Sequence, residues 1–422
     1  MSEAYAKSKY IPHLYTSPVD AEPLNRYRFG GYHPVHLGDY FKDGRYKVMH
    51  KLGHGGYATI WLARDFELQR YVALKITVSE TSQHNSELKI LQHLSSAQLS
   101  MHPGSQHVIK LLDSFEHKGP NGVHSCLVME PLGPSGKDLM ERFSDGRLPG
   151  EVAKQISRQA LMGLDFLHHA GVGHGDLHSG NILCTAANYD NESEDGLNNI
   201  LGAPEIGNVV RNDGEPLGSQ MPKYLVHPIN IPCIKWKLPH IRVQLVDFGE
   251  AFMQNHKPST LHTPLVFRAP EVIFQDSFDH RVDIWSMGCT IFELVVGYPP
   301  FDNLMVTKNH LIQQMIISIR DLPKEWKSRY KPPDTKDFYM EESFSLESWL
   351  HETYFDEDKK MDLSKAEIEM LAILLRRMIQ YDRERRPSPS ELLRDPWFFT
   401  QRRWNLDCPT TPSCIMHQGN SN

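Results

Sequence analysis

The chain predicts an α+β fold in two unequal parts, a small β-rich unit followed by a larger, mainly helical one. Short β-like runs are concentrated between Tyr46 and Glu130, and after Gly150 the pattern changes to helical periodicity. Composition allows a sizeable core: of 422 residues, 40% are hydrophobic and 23% charged. Those values exclude a wholly disordered chain, a collagen-like repeat and a disulfide miniprotein. A formal net charge of −7 argues against nucleic acid or an anionic membrane as the main partner.

In chain order, the first forty residues are rich in Pro, Tyr and Gly without helical period, so residues 1–45 read as an extended arm on a domain surface. Strand-like runs follow at Tyr46 to Leu52, Thr59 to Ala63, Tyr71 to Thr77 and Ser125 to Met129, with one amphipathic helix, Ser86 to Leu94, among them. Ile156, Ala160, Leu164 and Leu167 then share one helical face. Between Thr185 and Gln220 seven acidic residues accompany a single Arg211, which reads as a solvated acidic insertion reaching to about residue 240. Residues 399–422 are polar and read as a flexible tail.

The six cysteines, Cys126, Cys184, Cys233, Cys289, Cys408 and Cys414, form no C-x-x-C pair and fit a reducing compartment. With no signal-peptide core at the start and no apolar run of about 18 residues, the chain is expected in the cytoplasm, the nucleus or both.

Chemistry enters with Gly53-His54-Gly55-Gly56 between two strand-like runs, where backbone N–H groups can approach phosphate oxygens without Cβ interference. A plain glycine-rich hairpin turn accounts for it equally well. On the next strand Val72-Ala73-Leu74-Lys75 offers a lysine for the α- and β-phosphates of a nucleotide, against the bland alternative of a solvated surface lysine. Glu87 is favoured as its partner over Glu80, because Leu88, Ile90 and Leu91 give the Glu87 helix an apolar face.

His174-Gly175-Asp176-Leu177-His178-Ser179-Gly180-Asn181 matches the H-x-D-x-x-x-x-N loop of phosphotransferases. There Asp176 accepts the proton of an attacking hydroxyl and Asn181 turns its amide oxygen to magnesium; a capped turn needs the same residue types for turn chemistry alone. Asp247-Phe248-Gly249 ends a strand-like run, a placement suited to chelating magnesium across nucleotide phosphates. Ala269-Pro270-Glu271, Asp283-Ile284-Trp285-Ser286-Met287-Gly288 and Arg386 follow in order.

Together these motifs resemble a eukaryotic protein kinase over about residues 46–398, a bilobal protein-kinase-like fold with its N-lobe at 46–130 and its C-lobe at 133–398. Gly31-Tyr32-His33-Pro34-Val35, Gly38-Asp39, Arg45-Tyr46, Lys51-Leu52-Gly53 and Ile60-Trp61-Leu62 are similar to the SR-protein-specific kinase family, which also carries an insertion between catalytic loop and magnesium aspartate. The resemblance implies an ATP- and magnesium-dependent enzyme, most simply monomeric, that phosphorylates serine in Arg/Ser-rich splicing proteins. It implies that Leu52, Gly53, Gly55, Ile60, Ala73, Lys75, Glu87, Glu130 and Leu132 bind nucleotide, that Asn181 and Asp247 bind metal, and that Asp176, His178 and Asn181 act in catalysis. Met129 is placed behind the adenine, and Glu271 and Arg386 as a buried pair.

Several positions depart from that pattern. Ala58 replaces a third glycine; Gly175 replaces the arginine that binds a phosphorylated activation loop, implying activity without loop phosphorylation; His178 replaces a lysine and lacks its fixed charge. Thr263 stands one place early for the threonine that steadies the catalytic Asp, with Pro264 in its place. The family docks basic substrates through acidic side chains on a helix corresponding to 308–318, where Asn309 and Ile316 stand at the carboxylate positions. Two other readings stay open, a kinase-shaped scaffold and a small-molecule phosphotransferase of the aminoglycoside-kinase type.

Overall fold

The computed structural model describes residues 14–82, 86–96, 98–229, 241–301, 307–319, 322–330, 345–356 and 362–400. A six-stranded antiparallel sheet forms the N-lobe: β1 (Tyr40–Phe41), β2 (Tyr46–Gly55), β3 (Ala58–Asp65), β4 (Arg70–Thr77), β5 (Leu111–Gly119) and β6 (Gly122–Met129), in spatial order β1-β2-β3-β4-β6-β5. Alternation along β4 explains its two faces. Val72, Leu74 and Ile76 join Trp61, Val48 and Val128 in an apolar layer on one side, leaving Tyr71, Ala73 and Lys75 on the other. Helix α1 (Ser86–Leu94) crosses the sheet with Ile90, Leu91 and Leu94 buried.

Helices dominate the C-lobe. α2 (Gly150–His169) buries Ile156, Ala160, Leu164 and Leu167, the face its periodicity predicts. Strand β7 (Ile182–Thr185) pairs with β8 (Val243–Leu245) on one side and with the short strand Leu132–Ser135 on the other. Its neighbours thus carry the chain out of the N-lobe and into Asp247. α4 (Val282–Val296) is buried along its whole length and ends at Gly297 in the left-handed region, φ 104°. Of the strands the sequence did not signal, β5 is the longest among the described residues. It is a half-buried edge strand whose Leu111, Leu112, Asp113 and Ser114 show no alternation.

Two segments depart from expectation. The arm is expected on the surface, yet Glu22, Tyr27, Tyr32, His33 and Val35 are buried, and Lys51 of β2 pairs with Glu22 in the interior. The insertion is expected to be solvated, yet it buries Leu197, Val209, Met221, Leu225 and Val226 and contains helix α3 (Glu194–Leu201). Arm and insertion are tied together: Tyr15–Thr16 pairs with Val210–Arg211, and Asn121 Nδ2 donates to the carbonyls of Tyr32 and Gln220. The physical reason is the apolar outer face of the sheet, which must be covered; Val35 and Phe41 from the amino-terminal side and Val226 from the insertion cover it. Residues 1–13 of the arm, 230–240 of the insertion and 401–422 of the tail lie outside the described residues.

Acidic residues of the insertion are also used internally. Asp190 accepts from the Tyr71 amide at 2.8 Å, and Glu194 pairs with Lys47 at 2.7 Å. Deeper in the C-lobe, Glu271 and Arg386 form a two-point buried ion pair at 2.6 and 2.7 Å, with the guanidinium over the Trp285 ring. Substituting Arg386→Met leaves the Glu271 carboxylate buried without its cation. Urea denaturation should show a loss of about 3–5 kcal/mol, and a loss below about 1 kcal/mol would contradict this account of the pair.

Candidate active site

Lys75 sits in the middle of β4, opposite Ile60 on β3 and Leu127 on β6, and is buried. Its ammonium reaches Glu87 Oε1 at 2.7 Å and Asp247 Oδ1 at 2.9 Å. Glu87 lies in the first turn of α1, where the positive end of the helix dipole favours a carboxylate. Glu80 is elsewhere, paired with Arg26 and Arg28 at 3.4 and 3.3 Å. Burial opposes the charge on Lys75, but Asp247 and Glu87 raise its pKa above the ordinary lysine value. Lys75 in turn holds the Asp247 carboxyl down to about 2. Asp247 is a non-glycine residue at φ 61°, a strained conformation, and its carboxylate is half exposed to the cleft.

The loop Val172 to Asn181 is pinned from beneath by Asp283, whose carboxylate accepts from the backbone N–H of His174 at 2.8 Å and of Gly175 at 2.9 Å. His174 Nδ1 accepts from the Asp176 amide, so its proton is on Nε2, which donates to Val246 O at 3.0 Å. One imidazole therefore couples Asp176 to the residue before Asp247. Gly175 is at φ 76°, and a Cβ there would meet Glu250 O at 2.5 Å, so this turn takes only glycine. Thr263 donates its hydroxyl to Gly175 O at 2.5 Å. The contact is to the peptide before Asp176 and not to its carboxylate.

Asn181 Nδ2 donates to the Asp176 carbonyl at 2.8 Å and to its Oδ2 at 3.3 Å. Asp176 Oδ1 is buried without a hydrogen-bond partner among the described residues. Desolvation, then the negative charges of Asp247 and Glu250, push the Asp176 carboxyl up to about 7. His178 caps the short turn Ser179–Asn181: its Nδ1 accepts from the Gly180 amide, and Nε2 faces Asp176 Oδ2 at 3.9 Å. Burial lowers its pKa to about 4, so the ring is neutral near pH 7 and carries its proton on Nε2.

The remaining predicted residues lie on β2, β3 and β4 and on the segment that follows β6. Gly53 and Gly55 end β2, whose partner β3 begins at Ala58, and nothing lies within 4 Å of a Cβ built at either glycine. Ile60 and Ala73 follow on β3 and β4, and Leu52 packs against the cluster of Leu62, Tyr71 and Leu197. Met129 ends β6 opposite Ala73; Glu130 follows, and Leu132 opens the strand paired with β7. Sequence reasoning missed the roles of Asp283, of Glu250 and of Arg268, whose Nε donates to Thr263 O at 2.8 Å and whose charge opposes the rise of Asp176. Only Asp283 had a signal, as the acidic residue in the first turn of a largely apolar helix. Helix α5 (Lys308–Ile319) spans the stretch aligned with a docking helix and contains no carboxylate.

The protein kinase domain family matches residues 46–192 and 228–398. Over 392 residues the chain is 31% identical to a serine/threonine protein kinase of Aspergillus fumigatus, covering 91% of each chain. It is 30% identical to the serine/threonine-protein kinase SRPK of Physarum polycephalum, over 89% of this chain and 91% of the relative. Protein kinase dsk1 of Schizosaccharomyces pombe is 30% identical over 72% and 71% respectively. The unmatched stretch 193–227 is the body of the insertion. For His178, a nitrogen-detected NMR titration should report a neutral ring at pH 7, the Nε2–H tautomer and protonation near pH 4; a midpoint above 6 would contradict the burial assigned to it.

Proposed function

The chain belongs to the serine/threonine protein kinases of the SRPK family, and from that premise we propose that it uses ATP and Mg2+ to phosphorylate serine in Arg/Ser-rich proteins of mRNA splicing. A protein kinase domain implies ATP and a divalent metal in general. The observation that carries the reading is the convergence of Lys75, Asp247, Asp176 and Asn181 on one cleft.

The donor set suits these ligands. An ionised Asp247 and the amide oxygen of Asn181 are hard oxygen donors of the kind Mg2+ prefers. Bound Mg2+·ATP would supply an electrophilic phosphoryl group with its charge neutralised. Lys75, held by Glu87, binds and orients the phosphates, as would backbone N–H groups of the hairpin between β2 and β3. Asp176 Oδ1, which has no hydrogen-bond partner among the described residues, is the oxygen left to take the proton of a serine hydroxyl. Asn181 fixes the orientation of that carboxylate, and the neutral His178 offers an N–H where a fixed cation would otherwise stand.

Activity without activation-loop phosphorylation is part of the reading. Gly175 has no guanidinium to receive a phosphate, and the segment braces itself through Thr263 to Gly175 O, His262 to Glu250, and Arg268 to Thr263 O. Because α5 has no carboxylate, short Arg/Ser segments suit the cleft better than long basic tracts docked on that helix. A monomer is part of the reading, since the proposed catalytic groups need no second chain; among the described residues, the buried thiols of Cys126 and Cys289 fit the cytoplasm or nucleus.

Incubated with labelled ATP, Mg2+ and an Arg/Ser peptide, the purified chain should label serine, and Asp176→Ala should lower the rate by about 10²- to 10⁴-fold. No transfer by the wild type to this peptide or to intact Arg/Ser-rich proteins would refute the substrate assignment. The base must be ionised to act, so kcat/KM should rise with pH through about 7 and then level off. Glu250→Gln removes one of the charges that raise Asp176 and should move that limb to lower pH. The double variant Ser259→Ala/Thr260→Ala should keep kcat within about twofold of wild type, whereas a loss comparable to Asp176→Ala would show that loop phosphorylation is required.

A further inference from the structure

Outside the matched kinase-domain residues, the arm places two side chains on the tip of the glycine-rich hairpin. Tyr32 donates its hydroxyl to Gly55 O at 2.7 Å, and Arg26 Nη2 donates to Gly56 O at 2.5 Å. The third carbonyl of the tip, Tyr57 O, accepts from the Val78 amide at 2.8 Å. Three consecutive carbonyls are thereby drawn toward the arm and the end of β4. In a planar trans peptide the N–H points opposite to the carbonyl. The amides of Gly56 and Tyr57 are therefore turned away from the arm, while that of Ala58 faces Gly55 across the hairpin.

The arm is built firmly enough to act as a fixed support. Its Glu22 is buried against Lys51 of β2 and against the Tyr27 hydroxyl. Gly30 N donates to Asn121 O, and Gly30 O accepts from Glu80 N, both at 2.8 Å, so the turn is bonded to the β5–β6 connection and to the start of the segment after β4. Gly30 is at φ 84°, and a Cβ on Gly31 would lie 1.8 Å from Arg26 O. The two glycines let the chain fold back so that Arg26 and Tyr32 emerge side by side, with the guanidinium 5.5 Å from the Tyr32 ring and 5.8 Å from the Tyr57 ring. Glu80 accepts from Arg26 and holds it in place.

We propose that Arg26 and Tyr32 are positioning residues for nucleotide: by holding the carbonyls of Gly55 and Gly56, they preorganise the hairpin amides for the phosphates of ATP. The inference rests on the kinase reading above. Neither residue touches nucleotide, and each acts through the hairpin backbone. An unsupported glycine-rich tip would have to lose its conformational freedom on every binding event, and the arm removes that cost in advance. Arg26 contributes the stronger, charge-assisted bond.

The test uses the full chain and the variants Tyr32→Phe, Arg26→Ala, Arg26→Lys and Arg28→Ala, titrated with a fluorescent ADP analogue plus Mg2+ and assayed for kcat, KM for ATP and KM for peptide. Tyr32→Phe removes one oxygen from a buried ring and leaves its packing intact. It and Arg26→Ala should each weaken nucleotide binding by about three- to tenfold, raise KM for ATP to match, and leave kcat and KM for peptide within about twofold. Arg26→Lys should recover part of the loss. Arg28→Ala, which breaks contacts to Glu80 and to Phe29 O, neither of them on the hairpin, should bind like wild type. Unchanged nucleotide affinity in both Tyr32→Phe and Arg26→Ala, or an equal rise in KM for peptide, would overturn the inference. A wild-type chain that binds no nucleotide would instead refute the kinase reading on which it stands.

Discussion

One ammonium group holds the two lobes in register. Lys75 belongs to the N-lobe sheet, and its two carboxylate partners come from α1 and from the end of β8, so a single buried cation fixes the relative position of three elements. Burial alone would favour a neutral lysine, and it is the double acidic contact that keeps the charge. The same contact ionises Asp247 down to about pH 2 and so leaves a permanent anion in the cleft. That anion then acts on its neighbour, since together with burial and Glu250 it lifts Asp176 to about 7. Two carboxylates in one cleft thus have opposite properties, one suited to a cation and the other to a proton.

The rest of the C-lobe serves to hold that arrangement. Asp283, carried on the fully buried α4, accepts two successive amides of the catalytic loop, and Glu271 with Arg386 anchors the segment leading to α4. Asp283 bonds the two residues before Asp176 and so sets where that side chain stands. In the N-lobe the corresponding support comes from the arm and the insertion, which together cover the outer face of the sheet, and the arm also reaches the glycine-rich tip. Acidic side chains of the insertion serve this support through Asp190 and Glu194.

Much of the fold was legible because its strands and helices follow simple periods. The run Tyr71 to Thr77 is apolar, β-like and buried throughout, the face Ile156, Ala160, Leu164 and Leu167 recurs as a buried helix should, and helix α1 ends where its apolar face predicts. The half-buried edge strand β5 was not legible, since partial exposure on both faces removes the alternation. Nor were the arm and the insertion. Their buried residues, Tyr32, Val35, Leu197 and Val226 among them, are isolated apolar side chains that fit hollows on a surface made by other segments. Composition in such a stretch reports its polar majority and hides the few residues that anchor it.

The sequence by itself determined which chemical groups are available: Lys75, Glu87, Asp176, Asn181 and Asp247, in an order and among strand and helix signals that few folds combine. Covalent identity and local periodicity are properties of short windows, so they can be read without coordinates. Only the tertiary structure decided that Glu87 rather than Glu80 holds Lys75, that Thr263 braces the Gly175 peptide, and that Asp176 lies close enough to Asp247 and Glu250 for its proton affinity to rise. Those outcomes depend on distances between residues remote in the chain and on how much water is excluded between them, and Coulomb energy and desolvation both change steeply over a few ångströms.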